Sequence, residues 1–420
     1  MLVTLRALAT EMEVLILEDF PGPWLIKILF ILFTLILFFF KKLKSNPVNL
    51  SKFSLLLLNS LVYDLLSFMI LKKTLSCAAS IIKVIILFIF TFNCNAAENN
   101  SKYFSDDRGV VSLMYHRFEE NKYPSTNIKM NVFKQHIEKI KELKLDFYNP
   151  LDFAENYNVP KKDKKILITI DDAFSSFYEN AWPYLKKNKI PFILFVSTQP
   201  VGKSGYMTWE QIKEIEKEEF VFIGNHSHSH EYMIEYKANE FENDINKSIQ
   251  IFEKKLGYNP IFFSYPFGEY SLDQKNFIKK KFKFAFGQHS GVIDINKDRF
   301  EIPRFPINEK YGDLERFKFL IKLLPLQYIE IFPKDKLIAY NNNPPQMYIN
   351  FFKEQKNLNK INCYSNEGKD WNKTDLEIIE NKLVINFSEK FLFRRGRINC
   401  SLNDQDGWKW LGIQITVKLN

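Results

Sequence analysis

Cysteine is scarce in this chain: there are four in 420 residues, none in a C-x-x-C spacing, so a cysteine-built zinc site is not expected. Cys77 and Cys94 lie in the apolar N-terminal region, Cys363 and Cys400 near the C-terminus. If the N-terminal region delivers the chain to an oxidising compartment, Cys363 and Cys400 are the pair left to form a disulfide, with two free buried thiols as the alternative. Also missing is a stripe of basic and aromatic residues. The formal net charge is +9, yet Lys and Arg are interleaved with Asp and Glu, which describes a solvated basic surface and no nucleic-acid groove. Apolar residues, by contrast, make up 46% of the chain, enough for a large core. A length of 420 residues fits two folded domains behind a leader.

The first hundred residues carry two competing signatures. Residues 24–40, WLIKILFILFTLILFFF, hold one lysine and are followed by Lys41, Lys42 and Lys44, a short membrane-span candidate with a basic flank. Residues 53–71 are a poorer candidate because they include Asp64. From Met69 a positive stub (MILKK), an apolar core at 84–92 and the small residues Ala96 and Ala97 follow the order of a secretory signal peptide. One reading makes 1–68 upstream sequence from a misassigned start and 69–97 the signal peptide. The other makes the whole region a membrane anchor of two or three helices. Both export the residues after about 97, to the periplasm or to an anchored position facing it. TFNC is a poor lipobox, so no lipid is expected on Cys94.

Two strand-like runs end in chemistry. Residues 165–173, KILITIDDA, are apolar and β-branched until they stop on Asp171 and Asp172; residues 220–230, FVFIGNHSHSH, end on His226, His228 and His230. Strands buried on both faces and separated by helices belong to α/β sheets or barrels, whose C-terminal strand ends carry the site. A carboxylate with two imidazoles is a ligand set for zinc or another first-row divalent ion, with positions left open for water and substrate. Around these runs, strands are expected at 109–115, 191–197, 261–265 and 284–287. Helices are expected at 131–145, 174–188, from Thr208 to about 218, 240–256 and 271–282. Thr208 with Gln211 reads as a capping box. The alternation predicts a parallel barrel, complete or partial, over roughly 105–310.

Taken in order, these residues resemble the NodB-type polysaccharide deacetylases, carbohydrate esterase family 4. TIDDA is similar to the family's first motif and HSHSH to its second. SLMYHRF, YPSTNI, YMTWEQI, YPFGEYS, FGQHSG and IPRFPIN together resemble the branch related to periplasmic poly-N-acetylglucosamine deacetylases. The resemblance implies a distorted (β/α) barrel over 105–325. It also implies one divalent metal ion, expected to be zinc, on Asp172, His226 and His230, with Asp171 as general base. His228 falls at the variable position of the second motif and is not expected to be a ligand. A metallo-β-lactamase pattern fails because Glu231 follows His230.

Three departures from the family pattern shape the remaining expectations. No late L-x-H supplies the general acid, so His116, ending the first strand, is assigned that role as in the related periplasmic branch, with His289 as runner-up. Tyr265 and Pro266 match the start of the third motif, where a backbone N–H at the first position assists the oxyanion. The arginine that normally precedes this motif is absent, and Arg304, in PRFP, is the candidate that orients Asp171 or serves the oxyanion and substrate. Ala173 stands where the family has glycine. The expected partner is an acetylated polysaccharide, with membrane association only through the N-terminal apolar segments, and the expected activity is hydrolysis of N-acetyl groups. An O-acetyl esterase and a non-catalytic carbohydrate-binding protein remain as alternatives.

Residues 312–323 read as one more helix, followed by a proline-punctuated connection. From 346 to 420 the pattern changes to short alternating runs, MYINFF, INCYS, LEIIE, KLVINF, RINCS and LGIQITV, which predict a small antiparallel β-sandwich. Trp408 and Trp410 there could stack on sugar rings or pack in the sandwich.

Overall fold

A computed structural model describes residues 108–418, which fall in one compact unit. The expectations for residues 1–68 and 69–97 lie outside the described residues. Among the described residues no helix is long and apolar enough to cross a membrane.

Six parallel strands form the body of the nine-stranded sheet that carries the site: β1 (Val110–Tyr115), β2 (Lys165–Asp171), β3 (Phe192–Val196), β4 (Val221–Asn225), β5 (Phe262–Ser264) and β6 (Phe284–Phe286), paired in that order. Every residue of β1 and β3 is buried, as a strand covered on both faces requires. Alternate side chains part to the two faces. Ile166, Ile168, Ile170, Phe192 and Leu194 pack with the helix residues Phe133, Ile137, Leu185 and Ile212. Leu167, Ile193, Phe195, Phe262, Phe284 and Phe286 form a separate cluster on the other face. Gly224 on β4 leaves room for this cluster, since a Cβ there would lie 2.3 Å from the Phe195 ring.

The sheet curls until its edges are bridged by one segment. Ile302 bridges to Phe286 of β6, while Phe305 and Pro306 pair in parallel with Leu113 and Met114 of β1. Arg304 therefore sits in the stretch that spans the gap between the first and last strands. The architecture is a distorted (β/α) barrel with a small antiparallel β domain after it.

The helices of seven or more residues among the described residues are α1 (Met130–Glu142), α2 (Trp182–Asn188), α3 (Trp209–Glu216), α4 (Ala238–Leu256), α5 (Leu272–Lys281) and α6 (Leu314–Leu320). The Thr208–Gln211 capping box opens α3 as the sequence predicts. The helix expected over 174–188 is split. Phe177–Ala181 is a π-helical turn and α2 restarts at Trp182, because Pro183 has no N–H to continue the ladder and is tolerated only in a first turn.

Residues beyond the barrel form two mainly antiparallel sheets around a shared core that includes Met347, Ile349, Leu383, Ile398 and Ile413. Strands β7 (Met347–Asn350), β8 (Asn362–Ser365), β9 (Asp375–Ile379), β10 (Lys382–Asn386), β11 (Arg395–Asp404) and β12 (Gly407–Val417) match the six alternating runs. The connection adds more strand than expected. Leu324–Pro325 and Leu337–Ile338 pair in parallel with β12, and Glu330–Phe332 pairs with β7. Cys363 and Cys400 face each other across β8 and β11 and are joined by a disulfide.

Candidate active site

The paired carboxylates take different partners because the backbone turns between them. Asp171 is the last residue of β2 and is fully buried. Asp172 and Ala173 then adopt left-handed conformations, with φ of 75° and 52°. Such angles cost a non-glycine residue about 1–2 kcal/mol and persist where surroundings enforce them, often at functional sites.

Asp171 meets Arg304, whose five N–H groups are all committed. Nη1 donates to Asp171 Oδ1 at 2.6 Å and to Thr169 Oγ1 at 3.2 Å. Nη2 donates to Asp171 Oδ2 at 2.9 Å and to Ser264 Oγ at 2.8 Å, and Nε donates to the Gly287 carbonyl at 2.9 Å. Both side chains are fully buried. Burial works to raise the Asp171 carboxyl, but Arg304, the largest opposing charge, outweighs it and holds it below the usual carboxylate value. Arg304 thus holds both oxygens of Asp171. Its expected role toward oxyanion or substrate is corrected, because no N–H remains to donate.

Asp172 faces the histidines that follow β4. Its Oδ1 lies 3.0 Å from His230 Nε2 and 3.4 Å from His226 Nε2. His226 Nδ1 lies 2.7 Å from the Ser264 carbonyl, which can only accept, so Nδ1 carries the proton and Nε2 presents a lone pair. Two acceptors, Asp172 Oδ1 and His226 Nε2, therefore face each other in a buried site without a hydrogen-bond partner. An arrangement of this kind fits a cation between them, and ligand atoms of Asp172, His226 and His230 all lie within 4.8 Å of one another. A proton on His230 is the other way of meeting the same carboxylate. Burial lowers the His230 imidazole but Asp172 overrides it and raises it; the Asp172 carboxyl, which burial would raise, is held well below its usual value chiefly by His230.

The loop that presents the histidines is shaped by residues the sequence reading passed over. Buried Asp244 of α4 accepts from the backbone N–H of His228 at 2.8 Å and of Ser229 at 3.0 Å. Ser227 and His230 have φ of 70° and 57°, and Ser227 Oγ accepts from the His230 N–H at 3.1 Å. His228 turns to Thr198 Oγ1, 2.8 Å from its Nδ1, and stays out of the ligand cluster. Only Asp244's position on a helix face, sixteen residues from its partner in sequence, could have signalled it, and a helix face alone does not.

His116 stands one step beyond the Tyr115–Ile170 pair of β1 and β2, level with Asp171. It is half-buried. Burial pushes its imidazole below the ordinary value, opposed by the pull of Asp172 and Asp171. His289 answers to other charges: burial drives it down to about 4, and it lines a cavity of about 310 Å³ with Tyr270, Lys275 and Glu301. It is not brought to the carboxylates.

The third-motif expectation is corrected by the hydrogen bonds of its backbone. The Tyr265 N–H donates to the Phe286 carbonyl at 3.0 Å, continuing the β5–β6 ladder, so it is spent. Pro266 has no N–H. The next N–H belongs to Phe267, whose ring lies 4.9 Å from that of His230 and whose backbone is left-handed, with φ of 58° and ψ of 4°. Tyr265 packs its ring on Tyr270 and donates its hydroxyl to the Phe300 carbonyl at 3.1 Å, a structural role.

Residues 158–282 match the family model described as polysaccharide deacetylase. A protein named poly-beta-1,6-N-acetyl-D-glucosamine N-deacetylase from Staphylococcus aureus is 25% identical over 245 residues, covering 51% of this chain and 83% of its own length. The protein of the same name from Staphylococcus epidermidis is 23% identical over 259 residues, with 55% and 88% covered. Among solved structures, IcaB from Ammonifex degensii is similar at 23% identity and a TM-score of 0.45, over 51% of this chain and 97% of that one. Streptococcus pyogenes deacetylase PplD in complex with acetate is similar at 21% identity and a TM-score of 0.45, over 49% and 95%.

Proposed function

We propose that this chain, whose residues 158–282 match the polysaccharide deacetylase model, is a hydrolase of that family that removes N-acetyl groups from an N-acetylglucosamine polysaccharide, with Asp172, His226 and His230 holding one divalent metal ion. The observation that carries the proposal is the pair of buried acceptors, Asp172 Oδ1 and His226 Nε2, set beside a second carboxylate locked by arginine. The substrate class follows the printed names of the Staphylococcus relatives.

When bound, the ion supplies Lewis-acid polarisation and a lowered water pKa. Asp171, kept ionised and aligned by Arg304, takes a proton from the attacking water on a carboxylate oxygen. The Phe267 N–H donates to the oxygen that gains charge as the acetyl carbon becomes tetrahedral. His116 delivers a proton to the departing amine, for which it must first be protonated; burial opposes that protonation, and the neighbouring Asp172 and Asp171 favour it. Acetate and a cationic glucosamine unit result. The Cys363–Cys400 disulfide supports an exported location, since such bonds persist in oxidising compartments.

The test is acetate release from N-acetylglucosamine oligomers by the intact protein, after chelation and again after zinc is restored, beside Asp171→Asn and His116→Ala. Release that requires the ion and falls by at least about a hundredfold in both variants is expected. Release that survives exhaustive chelation would rule the proposal out.

A further inference from the structure

The loop that offers the Phe267 N–H is strained, and the groups that restrain it come from the C-terminal sheet. Phe267 and Gly268 are consecutive left-handed residues, with φ of 58° and 69°. The Phe267 side chain makes that conformation unfavourable in isolation, so something outside the loop must fix it. Within the loop there are two tight-turn bonds, Gly268 N–H to Tyr265 O at 2.9 Å and Glu269 N–H to Pro266 O at 3.2 Å.

Two side chains from beyond residue 390 complete the hold. Gln414, on β12 and 5% exposed, donates from Nε2 to the Phe267 carbonyl at 3.1 Å and to the Gly268 carbonyl at 3.0 Å. Two carbonyls accept but cannot donate, so the amide nitrogen must face them. Arg394 donates from Nε to both oxygens of the buried Glu269 at 2.9 Å, ion-pairs with Glu235, and lies 4.1 Å over the Tyr232 ring. Tyr232 in turn stacks on Phe267, with ring centroids 4.3 Å apart. The loop is thus gripped at its carbonyls by Gln414, at its end by Arg394, and across its ring by Tyr232.

We propose that Gln414 and Arg394 are positioning residues for catalysis: the C-terminal sheet holds the 265–269 loop in the left-handed conformation that keeps the Phe267 N–H unspent and available to the developing oxyanion. Neither side chain touches the reacting atoms. This inference rests on the deacetylase reading of the site. It assigns the second domain a part in the chemistry instead of a separate role in binding. Losing the hold lets the loop relax, and the donor is then organised at the expense of the transition state.

The test uses the intact protein with Gln414→Leu, close in size but without donors, and Arg394→Gln as the milder change in case the first fails to fold. Steady-state acetate release, the inhibition constant of a glucosamine methylphosphonamidate whose tetrahedral oxygen imitates the oxyanion, and zinc affinity are measured on each. Gln414→Leu is expected to lower kcat about ten- to a hundredfold and to weaken the tetrahedral inhibitor by the same factor, with KM and zinc affinity within about twofold. Arg394→Gln should show a smaller change with the same signature. Unchanged kcat and inhibition in both variants, or a fall that tracks lost zinc affinity, overturns the proposal. Should the unmodified protein release no acetate, the functional reading fails for that substrate, and hydrogen exchange of the Gly268 amide still decides the brace. About tenfold faster exchange in Gln414→Leu upholds it and an unchanged rate overturns it.

Discussion

Arg304 is buried without exposure and satisfies its whole guanidinium on Thr169, Asp171, Ser264 and Gly287. A lysine brings three donors on a point charge and cannot reproduce that fork. Arg304→Lys should therefore destabilise the fold by about 1–3 kcal/mol, the cost of buried acceptors left without donors, and leave Asp171 misaligned, as urea denaturation and initial rates will show. Ala173 presents the opposite case. Its φ of 52° strains a residue with a Cβ, so Ala173→Gly should raise stability by about 1 kcal/mol with kcat retained, measured by denaturant midpoint and acetate release. A loss of stability in that variant would show that the turn tolerates Ala173 without strain.

Helix α1 is tied to the segment before α6 by a histidine outside the site. His136 is fully buried, its Nδ1 3.2 Å from the Tyr115 hydroxyl, its Nε2 2.7 Å from the Gly312 carbonyl, and its ring stacked on Phe317 at 3.9 Å. Burial drives its pKa from 6.5 down to about 4, against the Gly312 bond that works to raise it. Between those values the unfolded chain takes up a proton that the folded chain refuses. The stabilisation is thus complete above pH 6.5 and is lost as pH falls toward about 4, an effect of up to ~3 kcal/mol. Urea midpoints at pH 7 and pH 5 should differ in the parent chain, and the difference should shrink in His136→Gln.

The barrel and the β-sandwich meet through close contacts and should behave as one cooperative body. Gly291 bridges to Leu411, Trp410 Nε1 donates to Ser290 Oγ at 2.9 Å, and Ser290 Oγ donates to Asn399 Oδ1 at 2.9 Å. Trp410 is therefore a packing residue, while Trp408 stays 44% exposed near Phe319. A Cβ at Gly412 would lie 2.2 Å from the Ser290 carbonyl. Gly412→Ala should split the single denaturation transition in two or lower its midpoint, as scanning calorimetry will report. Replacing both Cys363 and Cys400 by serine opens a 37-residue loop and should lower stability by about 2–4 kcal/mol without loss of zinc affinity.

The sequence by itself determined what local pattern can encode. Apolar β-branched runs specified the strands, Thr208 and Gln211 specified a helix start, and DD and HSHSH at the ends of two strands specified where oxygen and nitrogen ligands gather. The six alternating runs after residue 346 specified the sandwich strands for the same reason, a side-chain period of two. Tertiary structure decided everything that depends on a partner distant in sequence. Arg304 reaches Asp171 across 133 positions because the closing segment falls between β6 and β1, and Gln414 reaches Phe267 across 147. The Tyr265 N–H was lost to a strand neighbour, Phe286, whose register no local pattern reveals. Hydrogen-bond donors and acceptors are allotted by pairing, and pairing is settled only when the chain has closed on itself.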